Sequence, residues 1–316
     1  MAFPTIANSR IDKRLTNVSL EYTNNNFINE LVLPKIPNLT ADTGYISSHS
    51  RDNMRVYDSV MAKRQVSDLS PHRVEYKLGT DKSYAIDYYD HEIVVTDRSK
   101  DQTELPFNRM NDARRQLESI RMEIMESALG TVLADATVLT NTSTPSVLWD
   151  VSTSTPIDNM LTVQGTIEDA IGRLPNRVVT NTSVIRALQK HPEFINRVVN
   201  SGTSKTVGKM QVISIIEEEL GVKVLVGSTK KVTSKEGQAV TTGGAWSDDF
   251  LMYYTPDAPS KHTPSFGYRF DISGGNKQVT TRRDSNDIGD VVKIWWAYQD
   301  KILDISSSYL LDQVIS

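Results

Sequence analysis

Residues 103–139 read TELPFNRMNDARRQLESIRMEIMESALGTVLADATVL. Thr103 or Glu104 stands where a helix cap is wanted, and Pro106 falls in the first turn, where a missing N–H costs nothing. Phe107, Met110, Ala113, Leu117, Ile120, Ile124, Ala128 and Val132 then recur every three or four residues, leaving Arg109, Arg114, Arg115, Glu118, Arg121 and Glu126 on other faces. The pattern predicts one amphipathic helix to about Leu139, roughly 50 Å long at 1.5 Å per residue. A rod of that length exceeds what a small compact domain needs and suits the spine of an elongated subunit.

Upstream of the helix, residues 1–44 carry apolar side chains singly among Asn, Thr and Pro, with no clean period. Pro34 and Pro37 enforce extension around Lys35-Ile36, and the segment reads as an arm that drapes over something else. From residue 45 to 95 the pattern becomes strand-like, through Tyr45, Val56, Tyr57 and Val60 and then Val74, Tyr76, Tyr84, Ile86, Tyr88, Ile93, Val94 and Val95. Its middle, Arg51 to Lys82, is dense in charge and poor in large apolar residues, so it cannot build a core of its own. Two strands of about 15 residues each would project ~50 Å. The segment reads as a hairpin lying on a neighbour, which makes Arg51, Arg55, Lys63, Arg64, Arg73 and Lys77 candidate intersubunit contacts. A solvated surface loop is the competing reading.

Downstream, the Thr/Ser-rich stretch 140–155 is a boundary. Beyond it come a helix (Met160 to Ile171), a strand (Arg177 to Thr180), helices (Ser183 to Val199 and Met210 to Leu220) and a strand (Val222 to Val226), an inserted α/β-like unit. Gly221 is a helix stop. After a Gly/Thr/Lys loop at 234–245, strands are expected at 250–254, 266–270, 278–281, 291–299 and 302–306, returning to a β-rich layer on the long helix.

The composition narrows the chemistry. Among 316 residues, 38% are hydrophobic and 23% charged, which specifies a folded chain with a real core. Lys+Arg 35 against Asp+Glu 39 leaves −4, which argues against a dedicated nucleic-acid binder. Zero cysteines exclude disulfides, thiolate metal sites and cysteine nucleophiles. No apolar run approaches the ~18 residues of a spanning helix, and residues 1–10 have no signal-like core, so production and use in the cytosol are expected.

Motifs fare no better. Gly202 to Met210 imitates a phosphate loop but has five residues between its glycines, and Met210 replaces the hydroxyl that would hold magnesium. The five histidines form no ligand spacing, Asp90-His91-Glu92 alternates faces on a strand, and Asp248-Asp249 and 284–290 are acidic turns. No catalytic, metal or cofactor site is expected. Trp295-Trp296-Ala297-Tyr298 is a strand that wants both faces covered. Arg109, Arg114, Arg115 and Arg121 form a candidate weak DNA-facing stripe on the long helix, with intersubunit ion pairs or solvation as the alternative.

The order of these segments resembles the major capsid proteins of tailed bacteriophages, with an α+β fold of the HK97-like type. Asn17 to Tyr22, Phe27-Ile28 and Pro34 to Pro37 are similar to that family's N-terminal arm. Thr43-Gly44-Tyr45 and the charged hairpin resemble its extended E-loop, and Tyr84 to Glu92 with Pro106 and the helix bearing Glu123 resemble its peripheral (P) domain. The inserted unit resembles the axial (A) domain. Phe250 to Tyr254, Pro264 to Tyr268 and Ile294 to Asp304 with Tyr309-Leu310 resemble the closing P-domain strands. The resemblance implies an arm at 1–44, an E-loop hairpin and its base at 45–95, P-domain segments at 96–155 and 246–316, and an A domain at 156–245.

The resemblance further implies a non-enzymatic subunit of an icosahedral or prolate shell, assembled in the host cytoplasm from pentamers and hexamers around double-stranded DNA. The implied partners are other copies, a portal, a separate scaffolding protein, a decoration protein and weakly held DNA, with no membrane and no cofactor. Some relatives crosslink an E-loop lysine to an asparagine; Lys63, Lys77 or Lys82 and Asn276 or Asn286 offer those residue types, without an alignment that pairs them. An encapsulin-like compartment shares the fold. A phage tail or decoration protein and an α/β enzyme also stay open.

Overall fold

A computed structural model of the chain describes residues 10–11, 27–39, 41–49, 78–101, 108–198, 206–235, 237–260, 263–272, 278–284 and 289–316. In chain order, β1 (Arg10–Ile11), α1 (Asn29–Val32) and β2 (Lys35–Leu39) precede an antiparallel pair, β3 (Thr43–His49) and β4 (Leu78–Ala85). β5 (Asp87–Thr96) and the short α2 (Asp97–Asp101) lead to the long helix α3 (Arg109–Leu133). Then come β6 (Thr142–Ser143), α4 (Pro156–Ile171), β7 (Arg177–Asn181), α5 (Thr182–Leu188), α6 (Pro192–Val198), α7 (Lys209–Leu220) and β8 (Lys223–Gly227). The chain closes with β9 (Lys230–Val232), β10 (Thr242–Gly244), β11 (Phe250–Tyr253), β12 (Gly267–Ile272), β13 (Gln278–Asp284), β14 (Gly289–Ile302) and β15 (Ser308–Leu311).

Helix α3 starts later and stops earlier than its apolar spacing suggests. Its cap is Asn108, whose side chain accepts the N–H groups of Met110 and Asn111, rather than Thr103 or Glu104. At the other end, the Asp135 carboxylate takes the N–H and hydroxyl of Thr137 at 2.8 and 2.7 Å, a local turn that competes with helix. The helix therefore runs 25 residues, about 37 Å.

The two large sheets lie along different parts of this helix. In the first, β14 is central: Trp295 pairs with Gln278 on one edge and Asp90 on the other, and Tyr298 with Asp271 and Asp87. β13 and β12 thus follow each other along one edge, with β1 and β2 beyond them, and β5 covers the opposite edge. Ala113, Leu117 and Met125 of α3 pack on this sheet against Val292, Ile294 and Trp296. The second sheet runs β6-β15-β11-β7-β8. Leu129 and Leu133 of α3 meet Val179, Leu251 and Tyr253 on one of its faces, while Phe250 and Met252 turn to α4, α5 and α7 on the other.

Every residue of β11 is therefore buried. This strand and β15 were expected in a layer beyond the inserted unit, yet they hydrogen-bond into the same sheet as β7 and β8. A four-residue run of Phe-Leu-Met-Tyr has apolar side chains on both faces, and only a central position covers both. The expected single helix 183–199 is two, α5 and α6, because Pro192 has no N–H to continue α5 and instead opens the next helix. Gly172 and Gly221 end α4 and α7 at φ of 66° and 65°, a left-handed conformation that disfavours side chains.

Candidate functional site

Where α3 crosses from one sheet to the other it carries Glu126, fully buried. Its carboxylate accepts the backbone N–H groups of Ile28 at 3.1 Å and Asn29 at 2.8 Å and the indole N–H of Trp246 at 2.6 Å. The acid of the spine thus holds the start of α1, and with it the N-terminal segment. Burial pushes the Glu126 carboxyl up from its ordinary value, against the opposing pull of those three donors.

Other groups fasten the same segment. The Asn29 amide donates to the Met122 carbonyl at 3.2 Å, the Tyr253 hydroxyl donates to the Val32 carbonyl at 2.8 Å, and Arg177 donates to the Leu31 carbonyl. Arg269, with no exposed surface, grips Asp300 through two bonds of 2.6 and 2.7 Å, reaches Asn29 Oδ1 at 3.4 Å and lies 5.3 Å over the Tyr298 ring. Burial works against the guanidinium charge, but Asp300 outweighs it and raises the Arg269 pKa. Arg121 pairs with Glu118 at 3.1 Å and Glu30 at 3.8 Å. Burial drives Glu30 up, yet Lys35, Arg121 and Arg269 together hold its carboxyl below the ordinary value. Burying Glu126, Arg121 and Arg269 is costly unless each charge is met, and each meets a partner here.

The β3–β4 pair is fixed in turn. β3 and β4 pair from Thr43–Ala85 to His49–Leu78, Ile86 N–H donates to the Asp42 carbonyl, and Ala85 N–H donates to Gln299 Oε1 of β14 at 2.9 Å. From there β5 runs as a ten-residue strand whose residues are largely exposed. The trio Asp90-His91-Glu92 alternates as its strand period requires: Asp90 meets Lys293 and Glu92 meets Arg282 on one face, while His91 packs edge-on to Trp296 on the other. At the end of β5, Lys100 and Arg283 each bridge Asp97 and Asp290 and hold both carboxyls below the usual range.

Among the sequence-derived candidates, Arg51, Arg55, Lys63, Arg64, Arg73 and Lys77 lie outside the described residues. Lys82 stands on β4, while Lys63, Lys77, Asn276 and Asn286 lie outside them too. Of the four arginines assigned to a DNA-facing stripe, Arg109 and Arg115 are exposed. Arg114 and Arg121 are not available to that stripe, being 0% and 6% exposed on faces of the helix that are buried in the subunit. The apolar stripe also shifts: Ala128 and Val132 are exposed, and Leu117, Met125, Leu129 and Leu133 carry the core. Glu126, Arg269, Asp300 and Trp246 escaped the sequence reading. The available signal was Glu118, Arg121 and Glu126 interleaved at helical spacing with Leu117, Met125 and Leu129.

One buried pair imitates a nucleophile and its base. Ser154 Oγ lies 3.0 Å from His191 Nε2, but His191 Nδ1 accepts the Glu193 N–H, which places the ring proton on Nε2. That nitrogen donates to Ser154, whose hydroxyl donates to the Val151 carbonyl at 2.8 Å, so the histidine is no base toward the serine. No group of three or more His, Asp or Glu among the described residues is arranged to hold a metal. No described helix is long and apolar enough to cross a membrane.

No family model matches the chain. It is 20% identical over 313 residues, 96% of each chain, to the major capsid protein of Burkholderia phage BcepMu. A phage-related protein from Bordetella bronchiseptica superposes with a TM-score of 0.73 at 21% identity, covering 97% of this chain and 98% of that one. The mature capsid of bacteriophage PhiM1 gives 0.54 at 10% identity, with 92% and 88% covered. A holo encapsulin complex from Synechococcus elongatus gives 0.52 at 13%, with 100% and 98% covered. The chain is a homologue of a phage major capsid protein and carries the HK97-like fold found in capsid and encapsulin shells.

Proposed function

We propose that this chain is the major capsid protein of a tailed phage, forming pentamers and hexamers of an icosahedral or prolate shell around double-stranded DNA. The observation that carries the reading is the full-length match to a phage major capsid protein, over 96% of both chains. In this reading residues 1–44 are the arm, 45–95 the E-loop and its base, 96–155 and 246–316 the P domain and 156–245 the A domain. The Glu126 latch sets where the arm leaves the subunit, and the β4 to β14 tie sets where the hairpin leaves it. Arg51, Arg55, Lys63, Arg64, Arg73 and Lys77 contact adjacent copies, and Arg109 and Arg115 touch DNA weakly. Scaffolding, portal and decoration proteins complete assembly in the host cytoplasm. The small net charge of −4 suits a lining that must let DNA slide in and out.

The test is electron microscopy with light scattering on the protein expressed alone and with its genomic neighbours. Uniform closed shells holding DNA support the proposal, and a monomer or dimer under every condition sinks it. Deleting residues 51–82 should leave folded subunits that close no shells. The encapsulin likeness favours a second reading, a compartment loaded with an enzyme, and the contents of purified shells decide between the two.

A further inference from the structure

We infer that copies of this chain close into a ring by seating the acidic end of α4 of one copy against a cationic cavity beside Trp149 of the next. The inference rests on the shell-subunit reading above. A cavity of about 390 Å³ is lined by Trp149, Ser183, Arg186, Lys190 and His191, with Asp150 as its one acidic lining residue. Arg186 and Lys190 stand one helical turn apart, are exposed, and make no ion pair among the described residues. Trp149 has no exposed surface, and its indole N–H has no hydrogen-bond partner among the described residues. Asp150 already accepts the Ser316 hydroxyl. Arg186 and Lys190 outnumber Asp150 at this cavity, and the net positive charge of its lining suits a carboxylate supplied from outside.

The carboxylates that fit are Glu168 and Asp169, exposed at the last turn of α4 and without a side-chain partner among the described residues. That position is unfavourable in an isolated subunit, since the carbonyl end of a helix repels anions. The same helix exposes Leu161 at 42% and places Gly165 where an added Cβ would meet nothing within 4 Å. A mid-helix glycine weakens a helix relative to alanine, and no contact among the described residues requires it here. Close approach of a neighbouring helix or loop accounts for the leucine, the glycine and the acids together.

The two patches cannot satisfy each other within one copy. The N-terminal end of α4 adjoins the cavity, where Ile157 N–H donates to Glu193, the second residue of α6. Asp169 lies twelve residues farther, about 18 Å along the helix. Two different patches that meet between copies make a head-to-tail contact, the type that closes rings.

Charge reversal tests the pairing on the full chain. R186E/K190E and E168K/D169K should each cut the yield of assembled particles by roughly tenfold or more, with melting temperatures unchanged because the altered side chains are exposed. Combining all four changes should restore assembly, and G165Q, which fills open space, should abolish assembly while the subunit stays folded. If R186E/K190E lowers the melting temperature, R186Q/K190Q removes the charge alone and should still impair assembly. Variants that assemble like wild type, or a four-fold swap that fails to rescue, overturn the inference and leave the shell reading intact. A wild-type chain that never assembles, with or without co-expressed neighbours, overturns both.

Discussion

Replacing Glu126 with alanine removes one acceptor group that serves three buried donors, the N–H groups of Ile28, Asn29 and Trp246. A buried donor left unsatisfied costs about 1–3 kcal/mol, so the gross loss is roughly 3–9 kcal/mol. Removing a desolvated carboxyl recovers several kcal/mol of that, because burial disfavours the charge. The net expectation is about 2–4 kcal/mol of destabilisation, and about 1–3 kcal/mol for Glu126→Gln, which keeps one acceptor oxygen but turns an amide toward N–H groups. Urea and thermal unfolding measure the size, and amide hydrogen exchange locates it. In E126A the Ile28 and Asn29 amides should lose protection well before those of α3, since the segment around α1 detaches before α3 melts. A variant within about 0.5 kcal/mol of wild type, with both amides as protected as the helix, refutes the latch.

Arg269 and Asp300 give a second handle: D300A strands a buried guanidinium and should cost about 3–5 kcal/mol, whereas the double change R269M/D300L should cost less than either single change. Unfolding of the four members of that cycle is the check, and additive losses contradict it. G130A should destabilise by about 1–3 kcal/mol although alanine is the better helix former, because the new Cβ would overlap the Ala245 carbonyl; a more stable variant refutes this. For pH, the raised Glu126 carboxyl binds its proton more tightly folded than unfolded, so its contribution declines as pH rises from about 4 through the raised value. Wild type should therefore lose ground to E126Q over that range, and a pH-independent difference rejects the assignment. Asp290 and Asp97 are held low by Lys100 and Arg283, so that cluster's contribution is present above about pH 4 and is lost as pH falls through the depressed values. K100A should flatten acid unfolding there, read by a melt series down the pH scale.

Much of the architecture was legible from local signals. Gly221 ended its helix, runs of strand-forming residues marked β5, β7 and β14, and the absence of cysteine removed whole classes of chemistry before any fold was known. These succeed because each depends on a few neighbouring residues, such as a left-handed φ or a short apolar run, whereas the break at Pro192 inside the expected helix 183–199 was missed. The face that α3 buries was not legible in the same way. Ile124, Ala128 and Val132 are as apolar as a core stripe should be, yet Arg114, Glu118 and Glu126 lie deeper.

The chain by itself determined that there is a long helix and, between Pro156 and Gly227, an alternation of helices and strands, since those follow from spacing and composition. Only the tertiary structure decided that the helix serves two sheets and that an acid sits where it passes between them. It also decided that an arginine 143 residues farther along the chain completes the latch. A buried charge is chosen by its partners, and partners brought together by folding leave no period in the sequence that separates them.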